Sequence, residues 1–210
     1  MKPRALFIAG ATGAVGHRVV AIATEQHLEL VPHVRLGSAA KLEHPKRVTM
    51  PLGDRSLVPV LAECTTVVQL IGTMRKRFAS GDTYETSDIG TTRDLVAAAK
   101  SAKTIDHFVL LSSVGAGSPT GAYLKAKAQA ERIVIESGLP YTIFRPSAFE
   151  DREGVFMPGM RAITSLLGLK KYQPIKLDEL ASAIVRVASQ RAPLGAVLEG
   201  QTLWAQVQRV

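Results

Sequence analysis

The sequence predicts an α/β fold, a doubly wound parallel sheet with helices on both faces. Two observations predict it. Short, continuously apolar runs alternate with segments of helical period along most of the 210 residues. Strands covered on both faces read as such uninterrupted runs, whereas strands with one wet face alternate. The first run also ends in Gly10-Ala-Thr-Gly13-Ala-Val-Gly16, and a helical pattern opens directly out of that turn.

Taken in order, Ala5–Ala9 is the first strand, bounded by Gly10. Val15–Gln26 comes next as a helix, with apolar residues at 15, 19, 20 and 22. Leu28–Val34, Val48–Leu52, Thr66–Ile71, His107–Ser112 and Tyr141–Phe144 read as the next five strands. Helical patterns lie between them at Leu57–Ala62, Thr91–Ala102 and Tyr123–Ser137. Right-handed crossovers wind such elements into a parallel sheet whose ligands sit at the carboxyl ends of the strands. After Arg145-Pro146 the pattern loosens. Residues 147–172 mix Phe149, Phe156, Met157 and Met160 with Gly, Pro and charges, and read as a cap over the sheet edge. A last helix carries Leu177, Leu180, Ile184 and Val187 on one face, before a short apolar piece, Ala196–Leu198. The stretch after Pro146 is too short for a substrate domain, so residues 1–210 read as one domain.

Composition narrows the function. With 46% apolar and 21% charged residues the chain reads as a soluble globular protein. No apolar run reaches membrane-spanning length. Gly10, Gly13, Gly16 and then His17-Arg18 interrupt the N-terminal apolar run, so it does not read as a signal peptide. Cys64 is the only cysteine, which excludes an intramolecular disulfide and leads to the expectation of a reducing cytoplasm. The five histidines are scattered without metal-ligand spacing. A net charge of +8 suits either a solvated surface or an anionic partner. Arg75-Lys76-Arg77-Phe78 is the one dense basic run, and no nucleic-acid-binding motif accompanies it.

The glycine turn names the anion. Free N–H groups at a helix N-terminus, with the helix dipole behind them, bind a pyrophosphate. Gly10 permits the sharp turn, Gly13 lets phosphate approach bare backbone, and Gly16 lets the helix pack close to the strand. Thr12, Ala14 and Val15 complete the cradle. The spacing is Gly-x-x-Gly-x-x-Gly rather than the commoner Gly-x-Gly-x-x-Gly. A dinucleotide site of this layout that takes NAD carries an acidic residue about twenty positions on, bonded to the adenosine ribose. Here the second strand ends His33-Val34-Arg35 with no acid. An arginine there suits a 2′-phosphate through forked, charge-assisted hydrogen bonds, with Ser38 and Lys41 nearby. The expected cofactor is therefore NADP(H), with a solvated strand-end cation as the plain alternative for Arg35.

Tyr123-Leu-Lys-Ala-Lys127 is the second feature. Four apart on a helix, Tyr123 and Lys127 share a face, and they come after the strand that ends at Ser112-Ser113. Glycine turn, strand-end serine and Tyr-x-x-x-Lys together resemble the short-chain dehydrogenase/reductase superfamily. More narrowly the chain is similar to its atypical branch, the Tat-interacting-protein oxidoreductases and the NAD(P)H-binding, NmrA-like and epimerase/dehydratase relatives. Leu70-Ile-Gly-Thr-Met-Arg75, the Asp88–Lys100 stretch, His107–Gly115, Phe144-Arg-Pro146 and Pro174–Ala181 carry the likeness across nearly the whole sequence.

The resemblance implies a Rossmann fold and hydride transfer between a nicotinamide cofactor and a small carbonyl or alcohol. Tyr123 would donate or accept the oxygen proton. Lys127 would bond the nicotinamide ribose and supply the positive charge that favours a phenolate. Ser113, or else Ser112, would hold the substrate oxygen, although only nine residues separate Ser113 from Tyr123. Asp54 would sit beside the adenine, Ile71-Gly72-Thr73 would line the cofactor, and the backbone at Ser147–Phe149 would pass the nicotinamide amide. The substrate pocket would lie between Thr73–Tyr84, Ser113–Tyr123 and Phe149–Met160. Two other readings stay open, a non-catalytic NADP(H)-binding redox sensor and a nucleotide-sugar epimerase or dehydratase. The short C-terminal segment disfavours the second, since a nucleotide-sugar needs more surrounding protein.

Overall fold

The computed structural model describes residues 5–73, 78, 81–150, 164 and 169–209. Its frame is a six-stranded parallel sheet in the order β2-β1-β3-β4-β5-β6. The strands are β1 (Ala5–Ala9), β2 (Leu30–His33), β3 (Cys64–Gln69), β4 (His107–Leu111), β5 (Tyr141–Arg145) and β6 (Ala196–Glu199). The helices are α1 (Ala14–Glu25), α2 (Leu57–Ala62), α3 (Thr91–Ala102), α4 (Gly121–Glu136), α5 (Leu177–Gln190) and α6 (Gln201–Val207).

β1 shows why this sequence makes a two-sided sheet. Successive side chains of a strand point to opposite faces, and all five of its residues are buried. Leu6 and Ile8 pack into one core with Val19 and Ala23 of α1, Leu180 and Ile184 of α5, and Trp204 of α6. Phe7 points the other way, into a core of Leu57, Leu61, Leu95, Ala99, Phe108 and Val134, which brings in α2, α3 and α4. Burying each such side chain is worth about 1.5–3 kcal/mol, so both faces need cover and no solvated face remains for polar alternation.

The order places a crevice. β2 lies on one side of β1 and β3 on the other, and the register Ala9↔His33 and Ala9↔Gln69 ends all three strands level. The direction in which strands are added reverses at β1, and the carboxyl ends of the strands at such a switch point form the ligand crevice of doubly wound sheets.

Two expectations change. Val48–Leu52 is no strand. It reaches the outer edge of β2 through one bridge, His33↔Val48, with Val34 N–H donating to Val48 O at 3.0 Å. The pairing stops because the His33 imidazole Nε2 lies 2.7 Å from the Met50 carbonyl and engages it instead. Pro51 then supplies no N–H for a ladder, and its carbonyl accepts from Asp54 N–H to close a turn. Conversely, the short apolar piece at 196 is a full member of the sheet, β6, paired in parallel with β5. Most of the expected cap, including Phe156, Met157 and Met160, lies outside the described residues, as do Arg75, Lys76 and Arg77.

Candidate functional site

The glycine turn is tight enough to exclude any other residue at two places. Gly10 has φ +86°, and a Cβ on it would fall 2.9 Å from the Ile71 backbone nitrogen. A Cβ on Gly16 would fall 2.1 Å from the Gly10 carbonyl oxygen, backbone against backbone. So the first turn of α1 rests directly on the exit of β1, with the β3 exit crossing on the other side. Gly13 N–H donates to Gly10 O at 2.9 Å and closes the turn. No side chain caps α1 and no acidic residue stands in its first turn. The first N–H groups of a helix have no intrahelical acceptor, so the end of α1 is built to receive a negative charge.

The cleft above this turn gathers most of the residues expected from sequence. Gly10, Thr12, Gly13, Ala14, Val15 and Gly16 form its floor. Arg35, Ile71, Gly72, Thr73, Tyr123, Lys127 and Phe149 line its walls. Phe149 is seated there by the bridge Phe149↔Ile175, with Glu150 N–H donating to Ile175 O at 3.0 Å. Arg35 Nη1 stands 3.3 Å from both carboxylate oxygens of Asp82, across the mouth of the cleft.

Two expected residues fall elsewhere. Asp54 is exposed, and its Oδ1 accepts from Ser56 N–H and Ser56 Oγ, both at 2.8 Å, at the start of α2. The Ser56 N–H bond first, and the hydroxyl bond second, hold its carboxyl below the ordinary carboxylate value. It organises a turn because no strand at 48–52 delivers it to the crevice. Ser113 does not line the cleft; its hydroxyl lies 3.4 Å from Val114 O. Pairing with the β5 side continues past β4, through Ser112 N–H to Phe144 O at 2.7 Å and Val114 N–H to Pro146 O at 2.9 Å. Neighbouring residues of an extended segment face opposite ways, so Ser112 takes the cleft side and Ser113 does not. Even so, the Ser112 hydroxyl donates to the buried Glu131 carboxylate. That carboxylate is further held by Arg145, whose Nε donates at 2.9 Å. Arg145 at the end of β5 is thus paired with Glu131. The Glu131 hydrogen bonds lead in raising its affinity for the proton above the ordinary arginine value.

Lys127 has a partner that the sequence did not reveal. Its Nζ lies 2.8 Å from Asp88 Oδ1, both side chains being nearly inaccessible, and 3.3 Å from the Leu111 carbonyl, to which it donates. Asp88 Oδ2 accepts from Thr73 N–H at 2.9 Å and from the Thr73 hydroxyl. Asp88 stands in a π-helical turn, Glu85–Gly90, that leads into α3, a local geometry frequent at functional sites. Beside the lysine, the Tyr123 ring centroid is 6.0 Å from Lys127 Nζ and 5.9 Å from the Tyr84 ring. His33 also lines the cleft; burial, the largest cause, lowers its affinity for the proton.

A family model described as NAD(P)H-binding matches residues 10–191. Protein TIC 62, chloroplastic, of Oryza sativa subsp. japonica is 31% identical over 220 residues, covering 89% of this chain but 43% of that protein. The chain therefore spans less than half the length of this curated relative. Among solved structures, the Bordetella bronchiseptica enzyme WbmH in complex with NAD+ superposes with TM-score 0.70 at 19% identity, covering 93% of this chain and 75% of that one. The Escherichia coli NADPH-dependent quinone oxidoreductase QOR2, complexed with NADPH, gives TM-score 0.67 at 19% identity, covering 92% and 68%. At such identity these two show the fold alone, a Rossmann sheet.

The rice relative and those of the same name from Arabidopsis thaliana and Pisum sativum are all designated chloroplastic. That overturns the cytoplasmic expectation, which rested on Cys64: a lone cysteine excludes a disulfide and carries no address. Strand, glycine turn and uncapped helix end are the parts that hold a dinucleotide. The matched family takes in the glycine turn, the helix and the chain beyond them as far as residue 191, so the chain belongs to the NAD(P)H-binding family.

Proposed function

We propose that this chain is an NADP(H)-dependent oxidoreductase acting on a small carbonyl or alcohol. The observation that carries the reading is the convergence of the glycine turn, Arg35, Tyr123 and Lys127 on one cleft. The N-terminus of α1 binds the pyrophosphate, and Arg35 takes the 2′-phosphate through charge-assisted hydrogen bonds. The bound nicotinamide supplies or accepts the hydride. Lys127, held by Asp88 and the Leu111 carbonyl, bonds the ribose and keeps an ammonium beside the Tyr123 ring. Tyr123 gives its hydroxyl proton to the substrate oxygen in reduction and takes it back in oxidation. Serine has no part in this scheme, since Ser113 is off the cleft and Ser112 is engaged by Glu131.

The test is a titration of the purified protein with NADPH and NADH, beside Arg35→Ala. Tighter NADPH binding, with the preference lost in Arg35→Ala, supports the cofactor assignment. Reduction of small carbonyl compounds that disappears in Tyr123→Phe, with NADPH binding intact, supports the catalytic one. A second reading has an observation of its own: neither serine hydroxyl is offered to the cleft to hold a substrate oxygen. It is a non-catalytic NADP(H)-binding module that responds to the redox state of its cofactor. Under that reading Tyr123→Phe changes no property of the protein, and no carbonyl is turned over.

A further inference from the structure

Arg35 and Asp82 meet across the mouth of the cleft from opposite walls. Arg35 comes just after β2, while Asp82 lies between the exit of β3 and the π-helical turn. A single guanidinium nitrogen, Nη1, contacts both carboxylate oxygens at 3.3 Å, with side-chain exposures of 50% and 23%. A long, half-exposed pair of this kind contributes little to stability. Its position is what matters, because the same guanidinium is the group that would receive a 2′-phosphate.

Asp82 is also held in place. Gly81 before it has φ +87°. Thr83 after it exchanges bonds with Thr86, Thr83 N–H to Thr86 Oγ1 at 2.9 Å and Thr86 N–H to Thr83 Oγ1 at 3.0 Å. The Thr73 hydroxyl, which donates to Asp88, the partner of Lys127, lies 3.2 Å from the Thr83 carbonyl. Close polar contacts thus link the backbone beside Asp82 to the buried Asp88–Lys127 ion pair. The carboxylate is held where the phosphate charge arrives.

We propose that Asp82 is a cofactor-specificity residue: its carboxylate competes with the 2′-phosphate for Arg35 and so restrains the preference for NADPH over NADH. The proposal rests on the assignment of Arg35 to the 2′-phosphate. A phosphate that displaces Asp82 from Arg35 must still sit beside that carboxylate, and like charges at close range repel. NADH lacks the phosphate and meets neither effect.

Direct binding titrations with NADPH and NADH test it on five proteins: wild type, Asp82→Asn, Asp82→Ala, Arg35→Ala and the Asp82→Asn, Arg35→Ala double variant. Asp82→Asn removes the charge and keeps the size, and a thermal melt without ligand confirms that each variant is folded. The expected result is NADPH binding tightened by about three- to fivefold in Asp82→Asn, with NADH changed by less than about twofold. The gain should shrink at high salt, which screens exposed charges, and Asp82→Ala should reproduce it. Unchanged or weakened NADPH binding in Asp82→Asn overturns the proposal. So does a marked loss of NADH affinity, which would make Asp82 an acceptor for ribose hydroxyls. If Arg35→Ala abolishes the NADPH preference while Asp82→Asn does nothing, only the role of Asp82 falls. If Arg35→Ala leaves that preference intact, the assignment of Arg35 and the proposal fall together.

Discussion

At the scale of single residues, the cleft depends on atoms that are missing and on charges that are paired. Gly16→Ala would drive a Cβ to 2.1 Å from the Gly10 carbonyl oxygen, where only backbone can give way. The expected outcome is a loss of about 1–3 kcal/mol in stability by urea unfolding and weakened NADPH binding by titration. Gly37→Ala is the control: nothing lies within 4 Å of its Cβ position, and stability should stay within about 0.5 kcal/mol. Asp88 is a second test. Removing one member of a buried ion pair leaves the other charge uncompensated, so Asp88→Ala should cost about 3–5 kcal/mol by the same unfolding measurement. The double variant Asp88→Leu, Lys127→Met should regain much of that loss while losing function, because the pair positions Lys127 rather than adding stability. Tyr123 and Lys127 were legible from their spacing on one helix. Asp88 was not, since its partner stands on another element, and a carboxylate in a run of helical residues reads as solvated until the fold turns it inward.

Between elements, the β4–β5 contact carries a titrating group. His107 of β4 is wholly buried, and its Nε2 lies 2.9 Å from Thr142 Oγ1 of β5. Burial, the largest cause, pushes its pKa down from 6.5 to about 4. The unfolded chain therefore binds a proton below pH 6.5 that the folded chain refuses until about pH 4. Stability from this group is fully present above pH 6.5 and is lost as the pH falls through that window, by about 3 kcal/mol in total. Thermal melts between pH 7 and pH 4 should show the decline, and His107→Gln should flatten it. The elements themselves were largely readable, because β1, β4 and β5 are apolar runs that no helix period fits. Val48–Leu52 read equally well as a strand. What stops it is the His33 imidazole engaging the Met50 carbonyl, a contact between segments that local pattern does not contain.

For the molecule as a whole, ligand and fold should be coupled through the cleft at the switch point. A ligand that binds only the folded chain adds about 2.7 kcal/mol at one hundred times its dissociation constant. For a chain of 210 residues that corresponds to a rise in Tm of about 5–10 °C with NADPH. The net charge of +8 adds a long-range attraction for a polyanionic nucleotide, so the rise should diminish with ionic strength at a fixed NADPH concentration. A rise as large with AMP as with NADPH would remove the dinucleotide from the account.

The parallel sheet, the glycine turn and the helix that carries Tyr123 and Lys127 can be read directly from the order of residues. Each results from short-range rules: strand burial, the room that a missing Cβ leaves, and the four-residue repeat of a helix face. The assembled fold sets which polar groups share the cleft. It sent Asp54 to a surface turn, turned Ser113 away, bound Ser112 to Glu131, buried Asp88 against Lys127, and set Asp82 against Arg35. The Ser112–Glu131, Asp88–Lys127 and Asp82–Arg35 pairings join residues far apart in the chain, and charges find their partners through space, where spacing along the sequence carries no information.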